Sequence, residues 1–189
     1  KEITENMSFF KQFENSIILH KSDENSFSMI PSKDYFVGNT PHGGYLTAVM
    51  QKALSLSMPH QHVINSNTLY LDRTEPKEII VQVKKIRESR GSSVGKVTLI
   101  QDNKSRCMMT GICSDFNFMK GVSDLETSPS KTFDEDRALF ISLHFDNIKE
   151  DLTPSFIKQT NCEIAKKHAW WLENNNHLCD EARCAGFIS

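Results

Sequence analysis

Asn39-Thr40-Pro41-His42-Gly43-Gly44-Tyr45-Leu46, running on into Thr47-Ala48-Val49-Met50-Gln51-Lys52-Ala53-Leu54, is the stretch that decides how this chain reads. A proline succeeded closely by two glycines marks a turn in which the backbone takes unusual angles or approaches something closely. From Tyr45 onward the chain is apolar nearly all round with the period of a helix, and it stops near Ser57, before Pro59. The expectation is a buried helix whose first turn is available for chemistry.

Upstream of the turn, a helical start around Met7 to Phe13 precedes two short strand candidates, Ser16 to His20 and Ser26 to Ile30. Lys21-Ser22-Asp23-Glu24-Asn25 between them has turn composition, so the pair reads as a hairpin. Tyr35, Phe36 and Val37 then lead into Gly38. Downstream, four strand candidates occur with no helix between them: Val63 to Asp72, Glu78 to Arg87, Ser93 to Gln101 and Cys107 to Phe116. Their turns are Pro76-Lys77, Glu88 to Ser92 and Asp102-Asn103-Lys104. A strand pair, a buried helix and an antiparallel meander make an α+β unit in which a curved sheet wraps a central helix. A sheet covering the helix on all sides accounts for its small polar face.

From Lys120 to Thr153 the texture turns to Ser, Thr, Asp, Glu and Pro around the apolar patch Ala138 to Phe145, the mark of an inter-domain connection with some packed residues of its own. Strand texture resumes over Phe156 to Ile164 and Lys167 to Glu173, with Trp170 and Trp171 pointing to opposite faces. Asn174-Asn175-Asn176 reads as a turn and Asp180 as a helix N-cap. Ala182, Ala185, Gly186 and Ile188 then open a small-residue helix. The expected division is 1–119 as a first domain, 120–153 as linker and 154–189 as the opening of a second.

Composition narrows the partners. The 189 residues carry a net charge of -2, so there is no electrostatic case for nucleic acid, and no apolar run is long enough to span a bilayer. Five cysteines, an odd number without framework spacing, favour a reducing, intracellular compartment, cytoplasmic or peroxisomal. Cys179, Cys184, His168 and His177 are close in sequence but lack a Cys-x2-Cys pair, so neither a metal nor another cofactor is expected. Cys107, Cys113 and Cys162 read as small core residues of strands, and Asp115 as a turn or cap residue. Lys84, Lys85, Arg87, Arg90 and Lys96 gather at one hairpin, either to meet the phosphates of coenzyme A or as the solvated face of a sheet.

Thr40-Pro41-His42-Gly43-Gly44-Tyr45-Leu46, the Ala48/Ala53/Leu54 helix and Leu69-Tyr70-Leu71-Asp72-Arg73 together resemble the thioesterase-like superfamily, in the double-hotdog form typified by type II acyl-CoA thioesterases. Ala169-Trp170-Trp171-Leu172-Glu173, Asp180 and Gly186-Phe187-Ile188-Ser189 are similar, more loosely, to the first half of that family's second hotdog. The resemblance implies a complete first hotdog and an incomplete second, hydrolysis of a fatty-acyl-CoA substrate to free acid and coenzyme A, and homo-oligomers built through hotdog sheets.

It also implies thioester chemistry. Hydrolysis builds negative charge on the carbonyl oxygen, and backbone N–H groups aimed at that oxygen lower the barrier. Gly43 and Gly44, at the positive end of the helix and lacking Cβ atoms, are the candidate donors; otherwise the pair only lets the turn pass close under the sheet. His42 is a candidate general base, although Asn is common at this place in the resembling family, which favours a role in shaping the turn. Tyr45 and Met50 are expected as core or as the wall of an apolar acyl tunnel. The family's water-activating Asp is expected immediately after Ser189, with its Gln and Thr or Ser helpers further on. Two other readings stay open: a non-catalytic acyl-thioester binding or scaffold protein, and a hotdog dehydratase, for which His42 has no apparent carboxylate partner.

Overall fold

A computed structural model describes residues 10–118, 140–142, 154–160, 162–165 and 186–188. The chain divides into two compact units, the first spanning Phe10–Val122 and the second taking up Ser123–Ser189.

The strands of the first unit are, in chain order, β1 (His20–Asp23), β2 (Ser26–Met29), β3 (Phe36–Val37), β4 (Thr40–Pro41), β5 (His62–Tyr70), β6 (Ile79–Glu88), β7 (Ser93–Gln101) and β8 (Lys104–Ser114). Six of them form one antiparallel sheet in the order β1-β2-β6-β7-β8-β5. β3 and β4 form a separate two-stranded ribbon that delivers the chain to the helix Gly43–Ser57. These elements arise from the side-chain periods. Every second residue of β7 is buried from Ser93 to Gln101, which puts Val97 and Leu99 on the face that meets the helix. The helix answers with one stripe, Tyr45, Leu46, Val49, Met50, Ala53 and Leu54, all buried. Asp102 and Asn103 both sit at positive φ, 50° and 59°, in the two-residue turn between β7 and β8, a conformation that Asp and Asn tolerate through local hydrogen bonding.

The helix is seated by a pair of glycines. Gly95 and Gly111 face each other across β7 and β8. A Cβ on Gly111 would collide with Leu54 Cδ2, and one on Gly95 with Leu54 Cδ1 and Met58 Cε. Among the described residues, the floor under the helix C-terminal half is therefore filled by Leu54 and Met58.

Several expectations are corrected. Residues 10–16 are helical, in keeping with the helical start read around Met7 to Phe13, of which Met7 to Phe9 lie outside the described residues; Ser16 closes that helix through Oγ to the Phe13 carbonyl (2.7 Å), so β1 begins at His20 and not at Ser16. The sheet does not surround the central helix. Thr47, Gln51 and Ser55 form a polar stripe at i+4 spacing, and Lys52 and Leu56 are exposed.

The described residues of the second unit include three strands, β9 (Phe140–Ser142), β10 (Cys162–Ala165) and β11 (Gly186–Ile188), which form an antiparallel sheet in the order β11-β10-β9. Phe140–Ser142, within the stretch read as linker, pairs with Glu163 to Ala165. Phe156 to Ile164 is not one strand: Ser155–Gln159 is a 3-10 turn after Pro154, and the paired strand is Cys162–Ala165. Gly186–Ile188 is a strand opposite Cys162–Ile164 and not the start of a helix, because the β10 edge offers its backbone groups as partners. The Lys167 to Glu173 strand with Trp170 and Trp171, the 174–176 turn and the Asp180 cap lie outside the described residues. No helix among the described residues is long and apolar enough to cross a membrane.

Candidate active site

The turn into the helix is built by the β3–β4 ribbon. Phe36 pairs with Pro41 and Val37 with Thr40 around Gly38, whose φ of +58° fits the tight reversal. The His42 N–H donates to the Tyr35 carbonyl at 2.8 Å, fixing where the helix starts. His42 is the N-cap, with φ -60° and ψ 138°, and its Nδ1 accepts the Gly44 N–H at 3.1 Å. That geometry leaves no proton on Nδ1, so the neutral ring carries its hydrogen on Nε2. Gly43 N–H is the first of the helix and has no intrahelical acceptor, nor another among the described residues.

Tyr70, at the end of β5, closes over this turn. Its hydroxyl donates to the Gly43 carbonyl at 2.7 Å and lies 2.7 Å from Thr47 Oγ1. A Cβ on Gly43 would be 3.0 Å from the Tyr70 ring, so a side chain there would push that ring by a few tenths of an ångström. The contact is the top rung of a polar ladder: Thr47 Oγ1 also lies 3.3 Å from Thr68 Oγ1, and Gln51 donates to Ser66 (2.8 Å). Period-2 alternation puts Ser66, Thr68 and Tyr70 on one face of β5, opposite the polar stripe of the helix.

Beside the turn lies a cleft of about 490 Å³. Its lining mixes apolar residues, Pro41, Leu46, Leu71 and Cys107, with polar ones, Thr40, Asp72, Arg73 and Thr74, and includes Gly43 and Tyr70. Asp72 is held as an anion by the Arg73 backbone N–H on its carboxylate and by ion pairing with Arg106, which together keep its carboxyl below the usual range. Arg73 Nε donates to Thr40 Oγ1, tying the guanidinium across to β4. Burial pushes the Cys107 thiol up, so it is no ready nucleophile.

Gly43, Gly44 and His42 thus meet at one turn, but only Gly43 lines the cleft. The Gly44 amide is taken by the His42 ring. Tyr45 points to the opposite side: it is 3% exposed, stacks on Tyr35 at 4.9 Å, donates to the Ser16 carbonyl (2.6 Å) and accepts the Ser32 N–H (3.1 Å). Burial raises its phenol, against the Ser32 N–H that it accepts. Met50 is wholly buried in the core. Of the two places open to Tyr45 and Met50, core or tunnel wall, both take the core.

Elsewhere, Asp115 accepts the Gln61 N–H at 2.9 Å, a turn role. In the basic hairpin, Lys85 pairs with Glu88 (2.6 Å), while Lys84 lies opposite Lys96 on the outer face of the sheet. No group of His, Cys, Asp or Glu side chains among the described residues could hold a metal; Cys179, Cys184, His168 and His177 lie outside them. Sequence reasoning missed Tyr70, Arg73, Thr74 and Cys107 as site residues. The signal available for Tyr70 was the alternation of Ser66, Thr68 and Tyr70.

Residues 32–114 match the family model of the acyl-CoA thioesterase N-terminal domain. None of the curated proteins compared matches the chain. Among solved structures, a candidate thioesterase II from Thermobifida fusca YX is similar with a TM-score of 0.69 at 14% identity, over 84% of this chain and 58% of that one. A hot dog fold protein of unknown function from Alicyclobacillus acidocaldarius gives 0.65 at 14% identity, over 81% and 55%. A candidate thioesterase from Novosphingobium aromaticivorans gives 0.64 at 12% identity, over 78% and 58%. The chain therefore spans little more than half the length of these structures, and at such identities the likeness speaks for the fold. The α+β architecture is that of a hotdog with a partial second one, and residues 32–114 are similar to the acyl-CoA thioesterase N-terminal domain.

Proposed function

We propose that this chain takes part in hydrolysing an acyl-CoA thioester to free acid and coenzyme A. The observation that supports this reading best is the Gly43 N–H, the unsatisfied first amide of a 15-residue helix, beside a half-apolar cleft of about 490 Å³. In the reaction a water oxygen bonds to the thioester carbonyl carbon, the carbonyl oxygen becomes an oxyanion, and the C–S bond then breaks as the thiolate leaves and is protonated. Gly43 donates to the oxyanion, where a preorganised amide acts without reorganisation at the moment of reaction. Gly44 can add a second donor once its N–H turns from His42 Nδ1. The acyl chain runs past Leu46 and Leu71 along the cleft, because the space under the helix is filled by Leu54 and Met58.

Activating the water needs a base outside this set. Asp72, the carboxylate in the cleft, is ion-paired and weakly basic, and the proposed base is a carboxylate after Ser189. Assembly through exposed sheet edges belongs to the same proposal.

The second reading is acyl-thioester binding without turnover, and the occupied Gly44 amide favours it. Thiol release by the full-length protein from acyl-CoAs of graded chain length separates the two. Turnover of any member supports hydrolysis. Saturable binding without thiol release across the series would replace it with the binding reading.

A further inference from the structure

The cleft beside Gly43 has an excess of positive character that a simple alkyl acyl group does not use. Its carboxylate, Asp72, is already compensated by Arg106. Arg73 is exposed and spends only its Nε on Thr40; its Nη groups have no ion-pair partner among the described residues. The positive end of the central helix adds to the same side. At the same cleft Thr74 is 1% exposed, and its Oγ1 lies near the Cys107 thiol without a hydrogen bond of acceptable geometry. A buried hydroxyl left unsatisfied costs stability unless something meets it.

These groups are of the kind that binds an anionic oxygen. A guanidinium offers parallel N–H donors matched to a carboxylate or phosphate, and a threonine hydroxyl adds a third donor. The apolar residues Pro41, Leu46 and Leu71 of the lining then accommodate the few carbons that separate such a group from a carbonyl at Gly43. Treated as a sphere, the volume is about 10 Å across, enough for a short chain with a charged end.

We infer that Arg73 and Thr74 form a subsite for an anionic oxygen group of the thioester substrate. This rests on the proposed function for the position of the carbonyl, but not for the anion site itself. Two sources share the chemistry: a carboxylate at the far end of a short dicarboxylic acyl group, and a phosphate of coenzyme A.

The kinetic test compares glutaryl-CoA with pentanoyl-CoA, and each with its N-acetylcysteamine thioester, which lacks phosphates. If the site reads a carboxylate, glutaryl is preferred over pentanoyl by about tenfold in kcat/KM with either thiol, and Arg73→Gln removes the preference. If it reads a phosphate, Arg73→Gln raises KM for both CoA thioesters by about tenfold and leaves the N-acetylcysteamine pair in their original ratio. Thr74→Val, nearly isosteric, gives the same pattern more weakly. Binding is tested without turnover by titrating glutarate, pentanoate and adenosine 3′,5′-diphosphate against the full-length protein and the Arg73→Gln variant. Saturable binding of one dianion, lost in the variant, upholds the subsite even if no thioester is hydrolysed. Equal response of wild type and both folded variants to all probes overturns it, and leaves the thioesterase reading to its own assay.

Discussion

Replacing His42 separates a capping residue from a general base. In the folded chain His42 Nδ1 accepts the Gly44 N–H at 3.1 Å, and the lone pair used there is the one that would otherwise take a proton. Alanine removes the acceptor and exposes an uncapped first turn at a partly buried position, at a cost of about 1 kcal/mol within the usual range of about 0.5–2 kcal/mol. Asparagine offers an oxygen in the same reach, so His42→Asn stays within a few tenths of a kcal/mol of the parent. Because the cap holds the turn that carries Gly43, His42→Ala also lowers kcat/KM by about the fraction of molecules whose first turn has frayed, a factor of about 2–5. Loss of a general base would instead cost about 10²–10⁴-fold in kcat, in Asn and Ala variants alike. Urea unfolding and thiol release on the same samples give both readings. A His42→Asn protein of parental stability that has lost more than about a hundredfold in kcat would refute the cap argument and make His42 the base.

The glycine floor predicts strong coupling. Gly111→Ala forces a methyl against Leu54 and destabilises by about 1–3 kcal/mol, Leu54→Ala costs about 2–5 kcal/mol, and the double variant costs at least about 1 kcal/mol less than their sum because the new methyl fills part of the cavity; additive values in a denaturation cycle would contradict the packing. Asp72 has a carboxyl held below its ordinary value of 3.8, so the native state binds fewer protons there than the unfolded chain. Its contribution is complete above the ordinary carboxylate range and is lost as pH falls through the depressed value, and Asp72→Asn should flatten that acid limb in unfolding measured from pH 5 downward. An unaltered limb would mean that the Arg106 pair is not formed in solution. Cys107 and Cys113 are buried, with thiols raised by desolvation, and native protein at pH 8 should alkylate at them far more slowly than denatured protein by mass spectrometry.

Sequence alone determined the features that depend on neighbours along the chain. The Pro41 to Gly44 turn, the helix to Ser57, the limits of β7 and the Asp102-Asn103 reversal all come from caps, glycine and side-chain period, which act within a few residues. Cys107 and Cys113 were legible as core residues of strands for the same reason. The site was only half legible. Gly43 stood out as a helix N-terminus, but its surroundings come from Tyr70, Arg73, Thr74 and Cys107, which are distant in sequence and are brought there by the pairing of β5 with β8. Tyr45, adjacent to the glycines, turns away because a one-residue step on a helix rotates the side chain by about 100°. Gly186–Ile188, too short and apolar to favour helix or strand locally, became a strand because β10 offered its backbone hydrogen bonds. Tertiary structure decided which groups face the cleft, since facing is set by sheet register and helix seating, and no local period encodes the distance between two strands.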